Sequence, residues 1–387
     1  MSVVVLSVDA VRPPLTGVGR YTKELAEHLP AHEEIKLRLH TRHGFVDALP
    51  NMGGGEASHW LARGRSLVTK RLLKTPFLVD MADAYFTRQG GRHLAGLPDA
   101  VFHGPNFYLP YDTRGPKVVT IHDLSIYKLP HFHPPERVRY MHTHVQRSIE
   151  IADAVIVVSE AMKQEVIDHF NVAQDRVFVT HLAPAAEFVP LTADQTRAEL
   201  SVLGLDHGGY CLFAGTIEPR KNIHALLDAY ELLVAESRLE LPLIVCGHPG
   251  WASETVHERL RECAQAGWLR YLSYVDENTL QCLVAGAALV SMPSLYEGFG
   301  LPIVEAMACG VPVVCSAIDV FAEVSGGACS LVQVDDSQAF AAAMLNLLED
   351  QASRQQHIAK GLARAEQFSW AATAAQTARV YKLVENR

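Results

Sequence analysis

Two carboxylates eight positions apart, Glu297 and Glu305, lie in the run Ser294-Leu295-Tyr296-Glu297-Gly298-Phe299-Gly300-Leu301-Pro302-Ile303-Val304-Glu305. An apolar strand predicted over 288–292 runs into the glycine-bearing turn, and Pro302 takes the first position of a helix predicted over 302–309. Proline starts helices there because its φ is already helical and its missing N–H has no partner to lose. Gly310 stops the helix before a strand at 311–315. The amides of Phe299, Gly300 and Leu301 thus gather at a positive helix end, which suits a phosphate. Carboxylates do not help bind phosphate, so Glu297 and Glu305 are expected to take hydroxyl groups on either side of it, a hexose for one and a ribose for the other. Either acid alone is equally consistent with a carboxylate capping the helix.

A second constellation, Ala214-Gly215-Thr216-Ile217-Glu218-Pro219-Arg220-Lys221-Asn222, follows a strand at 210–214 and precedes an amphipathic helix carrying Ile223, Leu226, Leu227, Tyr230, Leu233 and Val234. Asn222 is the natural N-cap. Gly215 and Thr216 open the turn, while Arg220 offers a fork and Lys221 a point charge that could neutralise a diphosphate leaving group. Solvated turn residues are the plain alternative; placement at a strand-to-helix turn favours the functional one.

In the first half, Thr16-Gly17-Val18-Gly19-Arg20-Tyr21 follows the first strand and opens a helix with Tyr21, Leu25 and Leu29 on its apolar face. Gly17 and Gly19 read as a close approach of backbone to donor phosphates or sugar, or simply as a tight turn. His122 and Asp123 end a strand at 117–121, putting an imidazole at a cleft edge; both also fit structural roles. His131, His133, His142 and His144 invite a metal reading, but no Cys or carboxylate completes a familiar spacing, and 14 of the 19 histidines spread through the first half. No metal or other cofactor is expected. A Walker loop is absent, which argues against phosphoryl transfer from ATP. Arg63, Arg65, Lys70, Arg71 and Lys74 fall in an acid-free stretch interleaved with Leu67, Val68, Leu72, Leu73, Phe77 and Leu78. That pattern fits membrane or acceptor docking, and equally an ordinary solvated helix face.

The elements that must position these residues alternate. Strands predicted at 3–10, 35–41, 100–103, 118–122, 154–159 and 177–181, then 210–214, 243–246, 288–292 and 311–315, each lead into helix-like segments, the pattern of parallel sheets with crossover helices. A length of 387 residues implies two domains. Prolines and small residues at 183–191 mark the linker, and Ser369 is placed to cap a last helix over 371–383. Residues 1–190 carry 21 Lys+Arg against 20 Asp+Glu, and residues 191–387 carry 13 against 23, so the halves have different electrostatic roles. All seven cysteines follow residue 210 without a C-x-x-C pair, and read as reduced core thiols. No apolar run approaches a bilayer span and the first residues lack a basic leader, so a cytosolic protein is expected, with peripheral contact to the inner membrane face open.

Together, E-x7-E within EGFGLPIVEAMACGVPVV, the GTIEPRKN turn, the TGVGRY loop and the IHD strand end closely resemble retaining glycosyltransferases of family 4 over nearly the whole chain. The resemblance implies an α/β GT-B fold of two Rossmann-like doubly wound domains facing a central cleft: an acceptor-binding domain at 1–185 joined by the helix 371–387, and a nucleotide-sugar domain at 186–370. It implies that Arg220 and Lys221 hold the donor diphosphate, Glu305 the ribose hydroxyls, Glu297 the donor sugar and the Phe299–Leu301 amides the phosphates. Gly17, Gly19, Gly215 and Thr216 would line the donor, His122 would touch the sugar, and Tyr274-Val275-Asp276 would lie beside the base. Two departures stand out. Many relatives carry Arg where this chain has Thr216, and many read Asn-Gly-Val-Asp where this chain has His181-Leu182-Ala183-Pro184.

The expected reaction is retaining hexosyl transfer from a nucleotide-diphosphate sugar, GDP-mannose first, with GDP-rhamnose or a UDP-hexose behind it. The expected acceptor is a saccharide or polyprenol-linked saccharide of cell-surface polysaccharide or lipopolysaccharide synthesis; nucleic acid is not a partner. A sugar-nucleotide 2-epimerase on a similar fold would need an acid/base pair that nothing here clearly supplies, and a non-catalytic sugar-nucleotide sensor is a third reading.

Overall fold

In a computed structural model, which describes residues 2–13, 15–50, 93–110, 113–236 and 239–386, the chain divides into two units. The five candidate docking cations, Arg63, Arg65, Lys70, Arg71 and Lys74, lie outside the described residues. The first unit comprises Met1–Lys128, Pro135–Leu182 and Trp370–Arg387, and the second Leu129–Pro134 and Ala183–Ser369.

Runs such as Ala154-Val155-Ile156-Val157, short, rich in β-branched residues and apolar at every position, suit strands buried on both faces, which is where a parallel sheet puts them. The first unit is built on such a sheet, β1 (Ser2–Ser7), β2 (Ile35–Thr41), β3 (Gly44–Val46), β4 (Val101–Gly104), β5 (Lys117–Ile121), β6 (Ala154–Val157) and β7 (Val177–Val179), in the order β3-β2-β1-β4-β5-β6-β7. Every pairing is parallel except β2 with β3, a hairpin closed through Thr41 and Gly44. The second unit holds β8 (Cys211–Ala214), β9 (Leu243–Cys246), β10 (Leu269–Tyr271), β11 (Leu289–Met292), β12 (Val313–Ser316) and β13 (Ser330–Val332), all parallel, in the order β10-β9-β8-β11-β12-β13. Strand order reverses between β1 and β4 and again between β8 and β11. In doubly wound sheets the carboxyl ends of the strands flanking such a reversal form the ligand crevice.

The last helix, Trp370–Glu385, belongs to the first unit. Thr373, Ala374, Thr377, Ala378, Tyr381 and Val384 recur at helical spacing and are all buried. Thr373 donates to the His181 carbonyl at 2.6 Å, and the Tyr381 hydroxyl meets His103 Nδ1 at 2.7 Å, so polar bonds fix the register of an Ala-rich face that has little shape of its own.

Several local expectations are corrected. Trp370 is already helical, one residue ahead of the expected start. The chain passes between units at Leu182–Ala183, and the short segment Leu129–Pro134 groups with the second unit, where the His133 ring packs 5.2 Å from Trp251. A polar helix over Gln351–Ala365 escaped the sequence reading; Asp350 starts it by accepting from the amides of Ala352 and Ser353. Among the described residues, no helix is long and apolar enough to cross a membrane.

Candidate active site

In the second unit both constellations emerge at the reversal, one from the end of β8 and the other from the end of β11. A backbone bond from the Leu295 amide to the Arg220 carbonyl, 2.8 Å, ties the two loops together. After β8 the chain makes a single 3-10 turn at Pro219–Lys221. Asn222 then takes a left-handed conformation (φ 52°, ψ 40°), and its side chain donates to the Val334 carbonyl at 3.2 Å instead of capping the helix Ile223–Ala235. Asn222 thus stands at the N-cap as expected but makes no side-chain cap bond: the tight turn that brings Arg220 and Lys221 inward needs a residue tolerant of the left-handed region, and Asn supplies that.

Arg220 and Lys221 converge on Glu297. One carboxylate oxygen lies 2.8 Å from Arg220 Nη1; the other lies 2.5 Å from Lys221 Nζ and accepts from the Ser294 hydroxyl at 2.8 Å. Arg220 also pairs through Nε with Glu218 at 2.7 Å and donates to the Tyr296 carbonyl at 3.0 Å. Lys221, Glu218 and Glu297 are buried. Burial alone would raise the Glu297 carboxyl, but Arg220 and Lys221 hold it down at about 2, so it is ionised throughout the neutral range. The plain alternative of solvated turn cations does not fit these positions.

Beyond Glu297 the chain turns through Gly300 (φ 97°) into the helix Leu301–Ala308. A Cβ on Gly300 would sit 2.6 Å from Phe321 Cε1, so both conformation and space require glycine. Pro302 is the second helical residue, after Leu301, one position later than the sequence suggested. Helix starts carry partial positive charge; this one begins at Leu301, four residues past a carboxylate that already holds two cations, with Pro302 lacking an N–H and the Ile303 amide bonded to the Gly300 carbonyl at 3.0 Å. Glu305 is buried one turn into the helix, and the Phe299 ring is buried edge-on against Phe368 at 5.6 Å.

A third loop, Gly247-His248-Pro249-Gly250 after β9, was not singled out in the sequence, although its glycine and proline spacing is a turn signal. The Gly215 amide donates to the Cys246 carbonyl and the Ile217 amide to the His248 carbonyl, each at 2.9 Å. A Cβ on Gly247 would lie 1.8 Å from the Gly215 carbonyl oxygen, and one on Gly250 2.6 Å from that of Ile217. These glycines let the third loop press against the cation-bearing one. Gly215 itself has ordinary space around it, and Thr216 is exposed. His248 stacks on Tyr274 (4.3 Å, 18°), whose ring is 49% exposed next to half-buried Val275.

In the first unit, Gly17 opens the helix Gly17–His28, capped by the Thr16 hydroxyl accepting from the Gly19 amide. Gly19 has a reason within the fold: a Cβ there would meet the Ala10 carbonyl oxygen at 2.8 Å. His122, at the end of β5, is buried, and its Nε2 lies 2.8 Å from the Pro105 carbonyl. A carbonyl only accepts, so Nε2 carries the proton and Nδ1 is left with its lone pair. Burial lowers the His122 pKa, and the ring is neutral. Tyr21 and Phe107 meet it edge-on at 5.0 and 5.7 Å. Asp123 binds the amide and hydroxyl of Ser125, which is the turn-capping alternative. Behind Tyr21 runs a buried chain of hydrogen bonds, Tyr21 to Thr120 (3.0 Å), Thr120 to His103 (2.8 Å) and His103 to Tyr381.

His131 and His133 fall in the second unit and His142 and His144 in the first. Among the described residues no group of His, Cys, Asp and Glu is arranged to hold a metal. All seven cysteines are buried and unbridged.

Residues 202–364 match the sequence model of "Glycosyl transferases group 1", and residues 15–183 that of "Glycosyltransferase Family 4". The chain is 38% identical over 382 residues to the O-antigen chain mannosyltransferase B of Escherichia coli, covering 98% of this chain and 100% of the relative. Among solved structures it is similar to HepE of Anabaena in complex with UDP-glucose (TM-score 0.71, 17% identity, 99% and 100% of the two chains). It is also similar to WaaG, a glycosyltransferase involved in lipopolysaccharide biosynthesis (TM-score 0.71, 14% identity, 97% and 99%).

Proposed function

We propose that this chain, which belongs to the group 1, family 4 glycosyltransferases with the GT-B fold and is therefore a hexosyltransferase, moves mannose from GDP-mannose to a saccharide or lipid-linked saccharide acceptor in cell-surface polysaccharide synthesis. The observation that carries the donor half of this reading is the buried Arg220–Glu297–Lys221 bridge beside a helix N-terminus, at the strand reversal of the second unit. Choice of mannose follows the similarity to the Escherichia coli mannosyltransferase.

In this reading the outer phosphate lies between Lys221, Arg220 and the amides at 299–301. When the bond from C1 to the phosphate oxygen breaks, its electron pair stays on phosphate, and these groups stabilise the charge that develops there. The acceptor hydroxyl attacks C1 from the same face and its proton passes to the departing phosphate oxygen, so the anomeric configuration is kept. Positive charge comes from side chains and helix amides, and no metal ion is required. Glu297 holds hydroxyls of the sugar, Glu305 those of the ribose, and neutral His122 offers Nδ1 as an acceptor to a sugar hydroxyl.

Incubation of the protein and a mannose oligosaccharide acceptor with GDP-mannose, GDP-rhamnose or UDP-glucose, with nucleoside-diphosphate release and the product anomer followed by NMR, tests this. Slow GDP release from GDP-mannose and an α-linked product are expected. A β-linked product refutes retention, and isomerised donor or binding without turnover refutes transfer.

A further inference from the structure

The loop that fixes His122 also carries an aromatic strip that the donor reading leaves unused. It follows β4, which flanks the strand reversal of the first unit, where a ligand crevice is expected. The loop is tightly specified. A Cβ on Gly104 would lie 2.1 Å from the Tyr108 carbonyl oxygen, the Pro105 carbonyl holds His122, and the Leu109 amide donates to Ser148 Oγ at 3.0 Å. Phe107 is held at φ 65° with its amide bonded to the Thr120 carbonyl at 3.0 Å. A bulky residue in the left-handed region is strained, and such strain concentrates where side chains must be aimed for function.

That conformation aims two rings. Phe107 is buried against His122, and the next residue, Tyr108, points its half-exposed ring at the helix Pro135–Ile151. There it meets Tyr140 edge-on at 5.6 Å and His144 at 6.3 Å, while Tyr140 and His144 lie 4.1 Å apart, one turn from each other on the helix. Arg137 and Arg147, three residues before Tyr140 and three after His144, are exposed at the same helical spacing. The strip therefore runs from the buried Phe107–His122 contact outward over half-exposed rings flanked by guanidinium groups. Aromatic rings that offer an apolar face and a polar rim, bordered by planar donors, match a sugar, whose C–H face is apolar and whose edge is a ring of hydroxyls.

We propose that Tyr108, Tyr140 and His144 form the platform on which the acceptor saccharide lies, with its reactive end towards His122. This rests on the assignment of the chain as a sugar transferase, but the residues of the platform are read from the first unit alone.

The full-length chain is compared with Tyr108→Ala, Tyr140→Ala and Tyr140→Phe, using a linear α-linked mannotetraose as acceptor and GDP-mannose as donor. Each alanine variant should raise the acceptor KM about tenfold, the size of one lost aromatic contact. GDP release without acceptor should stay within about twofold of wild type, and Tyr140→Phe should keep the acceptor KM. Unchanged KM in both alanine variants, or acceptor-free GDP release that falls in parallel, overturns the platform. Saturation-transfer NMR of mannotetraose alone separates the two readings, because it needs no donor. Transfer into the sugar C–H protons that disappears in Tyr108→Ala and Tyr140→Ala supports the platform even if GDP-mannose is not turned over. No transfer with wild type overturns it even if hydrolysis of the donor stands.

Discussion

Replacing Glu297 by Gln keeps the shape of the side chain and removes the charge that Arg220 and Lys221 share. The carboxyl is held at about 2 in the fold against 4.5 for an ordinary glutamate, so its ionised form is favoured by about 3 kcal/mol. Removing one partner of a buried pair costs about 3–5 kcal/mol, a separate route to the same size. The folded pKa is depressed, so this stability is fully present above pH 4.5 and is lost as pH falls towards 2. Glu297→Gln should therefore unfold with about 3 kcal/mol less free energy at pH 7, and the gap should shrink below pH 4.5. Urea titrations at pH 7, 4.5 and 3, followed by tryptophan fluorescence, measure it; Trp268, stacked on Tyr230 at 5.4 Å, reports the second unit. Other titrating groups cancel in the difference between the two proteins. Equal stability at pH 7, or a gap that ignores pH, would refute the bridge as an energetic feature.

Lys221→Ala should lower donor turnover about a hundredfold, the size of a lost electrostatic donor; rates near wild type would remove Lys221 from the diphosphate site. Because burial lowers the His122 pKa and the ring is already neutral, kcat/KM should show no inflection from His122 above pH 6.5. A limb above that pH in wild type that vanishes in His122→Asn would contradict the neutral acceptor role. Gly247→Ala must push the Gly215 loop away, so it should cost more than about 1 kcal/mol in stability and weaken GDP-mannose binding, measured by thermal shift and calorimetry. Unaltered donor affinity would show that the third loop does not set the geometry of the cation turn.

The alternation of strand-like runs with helix-period segments was enough to place ten strands, because most of the buried parallel strands are apolar at nearly every position and β2 shows the two-residue alternation of a half-exposed one. Edge strands β3, β10 and β13, three residues each, give no such run; their pairing comes from neighbours already in place. The helix Gln351–Ala365 was hidden for a related reason: it buries only Gly361 and Ala365 fully, so the apolar stripe that would reveal it is thin. Arg220, Lys221 and Glu297 were legible as types and spacings. Their mutual bridge was not, since it joins loops 76 and 77 positions apart and depends on a left-handed Asn222 and on the bond between Leu295 and Arg220. Gly247 and Gly104 were missed because their requirement is steric, set by Gly215 and Tyr108 carbonyls that only the fold brings near.

The bridge also changes what the cations can do. Glu218, Glu297, Arg220 and Lys221 sum to zero charge, so in the ligand-free protein the positive potential expected of an Arg-Lys turn is already cancelled. On the proposed donor reading, an incoming diphosphate must either find its remaining positive charge at the start of the helix Leu301–Ala308 or draw the cations partly away from Glu297. In the second case the carboxylate is released to accept from sugar hydroxyls at the moment the donor is seated. One residue then does both jobs in sequence, holding Arg220 and Lys221 in place before binding and the hexose after it. On that logic the Ser294 hydroxyl matters too: bonded to the oxygen that Lys221 would vacate, it keeps Glu297 satisfied during the exchange. Ser294→Ala should leave donor affinity nearly intact and slow its association in stopped-flow fluorescence. An unchanged association rate would mean that Glu297 does not move.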